Sequence, residues 1–137
     1  MTRSRLLLVL ALLLPLLLLT TGFRQSPLVD PAPIDAPTGM TAVQVSKAVK
    51  AALLGRGWVV SNEQPDGVDG TLNGKDYMAR IHVAFDTRQV KITYVDSTHL
   101  KYAVQKNGER LIHSNYMGWM KFLSGDIARN LELISAN

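Results

Sequence analysis

Polar and apolar positions are distributed most unevenly at the start of the chain. Behind Arg3 and Arg5, residues 6 to 19 are apolar with only Pro15 as an interruption, and Thr20, Thr21 and Gly22 follow before polar sequence begins. Such a run has no polar face to show water, which excludes an ordinary amphipathic helix. A basic start, an apolar middle and small residues suited to a peptidase are the parts of an export signal. A membrane-spanning helix needs about 20 residues, and the uncharged stretch from 6 through 23 has 18, the lower edge of that range. Residues 1 to 24 are therefore read as a signal peptide or an N-terminal membrane anchor. With both arginines on the N-terminal flank, either version puts the remainder outside the cytoplasm, in the periplasm, soluble or tethered to the inner membrane.

Residues 25 to 39, "QSPLVDPAPIDAPTG", carry proline at 27, 31, 33 and 37. Proline lacks the amide donor and restricts its predecessor, so the stretch favours extended chain. It is read as a semi-rigid linker, a tether between membrane and domain or a free tail. Residues 40 to 137 then read as a single α+β domain. Thr41 and Gln44 form a capping box with Met40 as staple, and Val45, Ala48, Val49, Ala52 and Leu53 recur at helical spacing until Gly55 and Gly57. Alternation takes over with "GWVVSN", "VDGTL", Tyr77 to Phe85 in steps of two, and Val90, Ile92 and Tyr94. "NGKD" reads as a hairpin turn in which Asn and Gly take positive φ. If Asp86 faces Gln89, then Phe85 meets Val90, Val83 meets Ile92 and Ile81 meets Tyr94, and the apolar faces coincide without a bulge. In the last helix Tyr116, Met120, Leu123, Ile127, Leu131 and Ile134 form one stripe, capped by Ser114 or Asn115. Trp119 is expected to lie on the sheet face that carries Ile81, Val83 and Ile92. Gly118 and Gly125 weaken that helix, which points to tight packing against them. The expected architecture is a four-stranded antiparallel meander with an N-terminal and a C-terminal helix on one face.

Charge changes the picture little. Of the formal +4, Arg3 and Arg5 supply two, and the remaining +2 is too small to argue for nucleic acid. The absence of cysteine matters more. It excludes a disulfide framework, a thiolate metal site and a cysteine nucleophile. It also leaves "TTGF", which has the shape of a lipoprotein signal ending, with Phe23 in place of the sulfur that would accept the lipid.

Three histidines, His82, His99 and His113, stand near Asp96 and Ser97 in the sequence. Ser97 lacks a G-x-S-x-G elbow, and no two histidines have the spacing that puts both on one metal. The chain is read as non-catalytic, with no metal and no cofactor. His113 precedes the helix bearing Tyr116 and Trp119 and reads as either a binding residue or a hydrogen-bonded cap. The candidate binding residues are Ser97, His99, Tyr102, His113, Tyr116 and Trp119, most of them on the loop from 96 to 116.

The stretches "RGW", "KITYVDSTHLKY" and "LIHSNYMGWMKFL" resemble those of a functionally uncharacterised family of small exported proteins and lipoproteins of Gram-negative bacteria. The resemblance covers roughly residues 45 to 130 and centres on Ile112, His113, Tyr116 and Trp119. This chain departs from the pattern in having Met117 where Asn is usual and in lacking the lipid-accepting cysteine. The resemblance implies an exported α+β domain and supplies no reaction.

Two functions are compatible with these features. One is a protein-interaction or structural module of the envelope whose partner is an envelope protein or other envelope component, touching the membrane only through an uncleaved N-terminal segment. The other is a periplasmic small-ligand binder using the 96 to 116 loop with Tyr116 and Trp119. Residues 1 to 39 fused to a reporter that works only outside the cytoplasm should give an active reporter. An inactive reporter retained in the cytoplasm would count against export.

Overall fold

The computed structural model describes residues 25 to 137, so the reading of residues 1 to 24 as signal or anchor lies outside the described residues. Helix α1 (Ala42–Gly55) begins where expected. The Gln44 N–H donates to the Thr41 hydroxyl at 3.1 Å, and the Thr41 N–H donates to the Gln44 carboxamide oxygen at 2.9 Å. Two orphan donors of the first turn are thereby satisfied. The buried residues of α1 are Val45, Ala48, Val49, Ala52 and Leu53, the predicted stripe. Helix α2 (Ser114–Ser135) buries Tyr116, Met120, Leu123, Ile127 and Leu131. Its cap differs from the expectation of Ser114 or Asn115: the His113 imidazole Nδ1 accepts from the Asn115 N–H at 3.1 Å. The helices pack on each other, with the Asn130 side chain donating to the Ala48 carbonyl at 3.2 Å. Among the described residues no helix is long and apolar enough to cross a membrane.

The strands are β1 (Gln25–Pro27), β2 (Ile34–Asp35), β3 (Val59–Gln64), β4 (Gly67–Asn73), β5 (Met78–Phe85), β6 (Gln89–Thr98), β7 (Ala103–Val104) and β8 (Arg110–His113). They form two antiparallel sheets, one of five strands in the order β2-β6-β5-β4-β3 and one of three in the order β1-β8-β7. The α+β class stands, and the four-stranded meander does not: the main sheet gains β2, and a second sheet exists that the expectation omitted. The missing strands are two to four residues long, too short for alternation to announce them.

Between β5 and β6 the register is Phe85 to Val90, Val83 to Ile92 and Ile81 to Tyr94, and then it shifts. Arg80 pairs with Asp96, leaving Val95 as an extra residue, so the three expected pairings hold without a bulge and the bulge lies just beyond them. The turn between these strands is held by Asp86, whose carboxylate accepts from the N–H groups of Arg88 and Gln89, both at 2.8 Å. Those two donors hold the Asp86 carboxyl below its ordinary pKa. The β4–β5 turn works differently from the expectation: neither Asn73 nor Gly74 has positive φ. Gly74 is required there for space, because a Cβ on it would meet the Tyr77 ring at 2.2 Å.

The proline-rich segment is extended, as its composition predicts, but it is laid onto the domain and does not stand apart as a spacer. Strand β1 pairs with β8 and β2 pairs with β6, while Leu28 and Met40 are buried in the common core. Both strands lie at sheet edges, where a proline without an amide donor is tolerated. Asp30, between them, accepts from the Tyr94 N–H at 3.0 Å and lies 3.8 Å from the Arg110 guanidinium.

Gly118 and Gly125 are also corrected. A Cβ added at either meets nothing within 4 Å, so neither glycine serves close packing. Gly118→Ala and Gly125→Ala should each raise stability by about 0.5 to 1 kcal/mol, since alanine loses less backbone freedom in a helix. Urea unfolding midpoints read the change; a destabilisation at either position would show a packing role that the open space denies.

Candidate functional site

Five aromatic rings contributed by four parts of the chain form one connected row. Tyr102 stacks on Tyr94 with centroids 4.8 Å apart, and Tyr94 meets Tyr116 edge-on at 5.8 Å. Tyr116 meets Trp119 edge-on at 6.4 Å, and Trp119 stacks on Tyr77 at 5.2 Å. Each such pair adds about 0.5 to 1.5 kcal/mol beyond its buried area. The row therefore ties the β4–β5 turn, β6, the β6–β7 loop and α2 together. Of the candidate residues, Tyr102, Tyr116 and Trp119 belong to it directly. Ser97 is attached through a 2.8 Å hydrogen bond between its hydroxyl and that of Tyr94. Tyr94 and Tyr77 were assigned only an inward strand face from the sequence, because the row depends on which rings meet and not on any one strand's period.

The middle of the row is closed. Tyr116 is 1% exposed, and its hydroxyl is buried without a hydrogen-bond partner among the described residues. Burial, with the nearby Asp30 carboxylate, pushes its pKa upward. A crevice under the 96 to 116 loop, the small-ligand expectation, is thus occupied by Tyr94 and Tyr116 themselves.

The two histidines of the loop hold backbone. His99 Nδ1 lies 2.7 Å from the Asp76 carbonyl in the β4–β5 turn. His99 and Lys101 both have positive φ, 56° and 55°, a conformation that is strained for residues with side chains. Between them Leu100 is buried, and its carbonyl accepts from the His113 N–H at 2.8 Å. The strained flanks turn Leu100 into the core as a plug, and His113 both receives that plug and caps α2. The structure therefore separates the six candidates into an aromatic group and a backbone-holding pair.

The exposed end of the row is a groove of about 250 Å³ lined by Arg56, Trp58, Leu72, Tyr77, Trp119 and Phe122. Trp119 is only half-buried here, against Tyr77 and beside the opening, which corrects its expected place on the centre of the sheet. Phe122 is 57% exposed, and the Arg56 guanidinium carbon stands 5.0 Å over its ring centroid. Arg56 is held from the other side by Asp126, with Nε to Oδ2 at 2.6 Å and Nη2 to Oδ1 at 3.2 Å. This fork arrangement fixes the cation in one place. Sequence reading missed Arg56 and Phe122: one sits just past the end of α1 and the other off the buried stripe of α2, so neither carries a periodic signal.

On the opposite face of the main sheet His82 Nδ1 lies 2.7 Å from Asp69 Oδ1, and Asp69 Oδ2 accepts from the Asn62 carboxamide at 2.7 Å. The Asn62 bond, then the His82 bond, hold the Asp69 carboxyl below its ordinary pKa. Arg80 and Asp96 pair beside them. This is a solvated polar face whose charges are matched in sign.

Comparison of the chain with models of protein families, with curated proteins and with solved structures finds no match in any of the three.

The Arg56 hydrogen bond, followed by its charge, keeps the Asp126 carboxyl below its ordinary value of 3.8. A carboxyl depressed on folding contributes stability that is complete above 3.8 and is lost as pH falls through the lower folded value. Asp126→Asn should remove that contribution. Its unfolding free energy should consequently fall less steeply than the wild type's between about pH 5 and about pH 2. Parallel acid limbs for the two proteins would mean that the clamp is not formed in solution.

Proposed function

We propose that the chain is a non-catalytic, exported envelope protein that acts by binding a protein partner or another envelope component at the groove around Trp119 and Phe122. The observation that carries this reading is the Arg56 clamp: a cation held by Asp126 above an exposed phenylalanine ring, next to the Tyr77–Trp119 stack. Aromatic residues and arginine are the residue types enriched at protein interfaces. An immobilised arginine loses little freedom when a partner covers it. The candidate polar side chains Ser97, His99 and His113 are each engaged in hydrogen bonds that hold the fold, which favours a non-catalytic reading. The export-signal pattern of residues 1 to 24 and the resemblance to small exported proteins support a periplasmic location, as a soluble or inner-membrane-tethered domain.

A small-ligand role is the second reading, and the concavity with its aromatic lining favours it. Against it stands size: dedicated ligand sites run from about 300 to about 1,000 Å³, and this groove holds about 250 Å³. A shallow aromatic groove with exposed Phe122 in its lining suits a side chain or short segment of a larger partner.

A photo-crosslinking amino acid at position 122 of the full chain, activated in intact cells, should give a discrete adduct. The same group at Thr93, on the polar sheet face, should give none. Equal labelling from both positions, or none from 122, would refute the groove as the binding surface. Saturation of the groove by a metabolite-sized ligand, without any adduct, would favour the second reading.

A further inference from the structure

The main constraint on how the domain meets a membrane is the point at which the chain enters it. The uncharged stretch of the N-terminal segment ends at Phe23, and one residue, Arg24, separates it from Gln25, the first residue of β1. Gln25 is paired with His113 of β8, and its carboxamide donates to the Lys101 carbonyl at 2.9 Å. One residue spans at most about 3.6 Å. Because residues 25 to 39 are laid onto the domain, they provide no stand-off. If the N-terminal segment remains as an anchor, the surface around Gln25 and Lys101 therefore lies at the level of the lipid headgroups.

What the three-stranded sheet presents beside that point is suited to such a position. Its outer edge, β7, is exposed at both residues, with Val104 59% exposed and Tyr102 just before it 40% exposed. Lys101 and Lys106 flank them and are exposed, and Arg110 lies across from Val104. Glu109 is the one acidic residue between 99 and 113. An apolar side chain, a tyrosine and flanking cations are the residue types that occupy the interface of an anionic bilayer.

We infer that the β7–β8 hairpin is a lipid-facing surface, in which Lys101, Tyr102, Val104 and Lys106 rest on the anionic headgroups of the membrane that holds the N-terminal segment. The inference rests on the anchor reading of residues 1 to 24, and it extends membrane contact beyond that segment. It also gives the domain a fixed orientation. Gln25 enters at one end of β1, the strand runs along β8 toward the hairpin turn, and the three-stranded sheet is thereby set against the bilayer.

The test uses the full chain, which has no cysteine, so that a single introduced thiol is unique. Val104→Cys, and Ser61→Cys on the far edge of the main sheet as reference, carry an environment-sensitive fluorophore. Each protein is reconstituted into phosphatidylcholine vesicles with and without phosphatidylglycerol. Flotation reads the anchor, and the label reads the hairpin. The expected result is flotation of both proteins, with a blue shift and quenching by brominated acyl chains at position 104 alone, stronger with phosphatidylglycerol. Adding Lys101→Gln and Lys106→Gln should lower the docked-to-undocked ratio by about twenty-five-fold, at about fivefold for each cation removed. Flotation with label 104 as wet as label 61 overturns the hairpin inference and leaves the anchor standing. Failure to float overturns both. Shielding of label 104 that is identical with and without lipid assigns this edge to a protein neighbour and overturns the lipid assignment.

Discussion

Keeping one carboxylate out of the core shapes much of this fold. In β6 Tyr94 faces inward, opposite Ile81, and strict alternation would turn Asp96 inward as well. An unpaired carboxylate in that position would cost several kcal/mol. The extra residue at Val95 changes the phase: Asp96 instead meets Arg80 on the solvated face, and Ser97 comes opposite buried Ala79, where its hydroxyl bonds that of Tyr94. Tyr94, the last inward residue before the bulge, gathers other parts of the chain. The Tyr94 N–H is bonded by the Asp30 carboxylate, which fastens the N-terminal segment across the sheet. Tyr94 is left oriented to receive Tyr102 on one side and Tyr116 on the other. Strand phase, N-terminal segment and aromatic row thus meet at Tyr94 and the inserted position that follows it.

The parts legible in the sequence are those governed by local periodicity. The stripes of α1 and α2, the capping box at Thr41 and the Phe85, Val83 and Ile81 pairings each follow from a repeat of 3.6 or 2 residues plus one turn, and each is present. The bulge interrupts such a repeat, so extrapolating the alternation passes over it. Its trace in the sequence is chemical: Arg80 and Asp96 are oppositely charged residues that come into register only if one position is skipped. The proline-rich segment illustrates a different limit. Its composition correctly specifies extended backbone, whereas docking depends on Leu28, Ile34 and Met40 finding a core formed much later in the chain. The prolines are compatible with a free linker and with edge strands alike, because both leave the missing donor unpunished.

For the candidate site, residue type was legible and partnership was not. Tyr102, Tyr116 and Trp119 were identifiable as aromatic residues near a loop, yet their neighbours Tyr77 and Tyr94 come from strands where inward facing already accounted for them. Trp119 shares a helical face with Tyr116, and the ring that covers part of it is Tyr77, which needs the bare Gly74 to lie where it does. The histidines posed the opposite difficulty. Their chemistry suggests a site, but the positive φ at His99 and Lys101 and the burial of Leu100 assign His99 and His113 to holding backbone.

The aromatic row runs from Tyr102, at the hairpin inferred to meet lipid, to Trp119, at the groove proposed to bind a partner. Contiguity alone does not make it a route for signals, because coupling requires an element with two arrangements that both sites bias. Tyr116, at its centre, is buried in the common core, where close packing opposes a second rotamer. Among the described residues its hydroxyl has no hydrogen-bond partner to exchange. The row consequently acts as a stiff connection. It holds the groove at a constant position relative to the hairpin, so that a domain seated on the membrane by one end presents the other end in a single orientation. For a binding module, that pre-set orientation lowers the freedom lost when a membrane-associated partner is met.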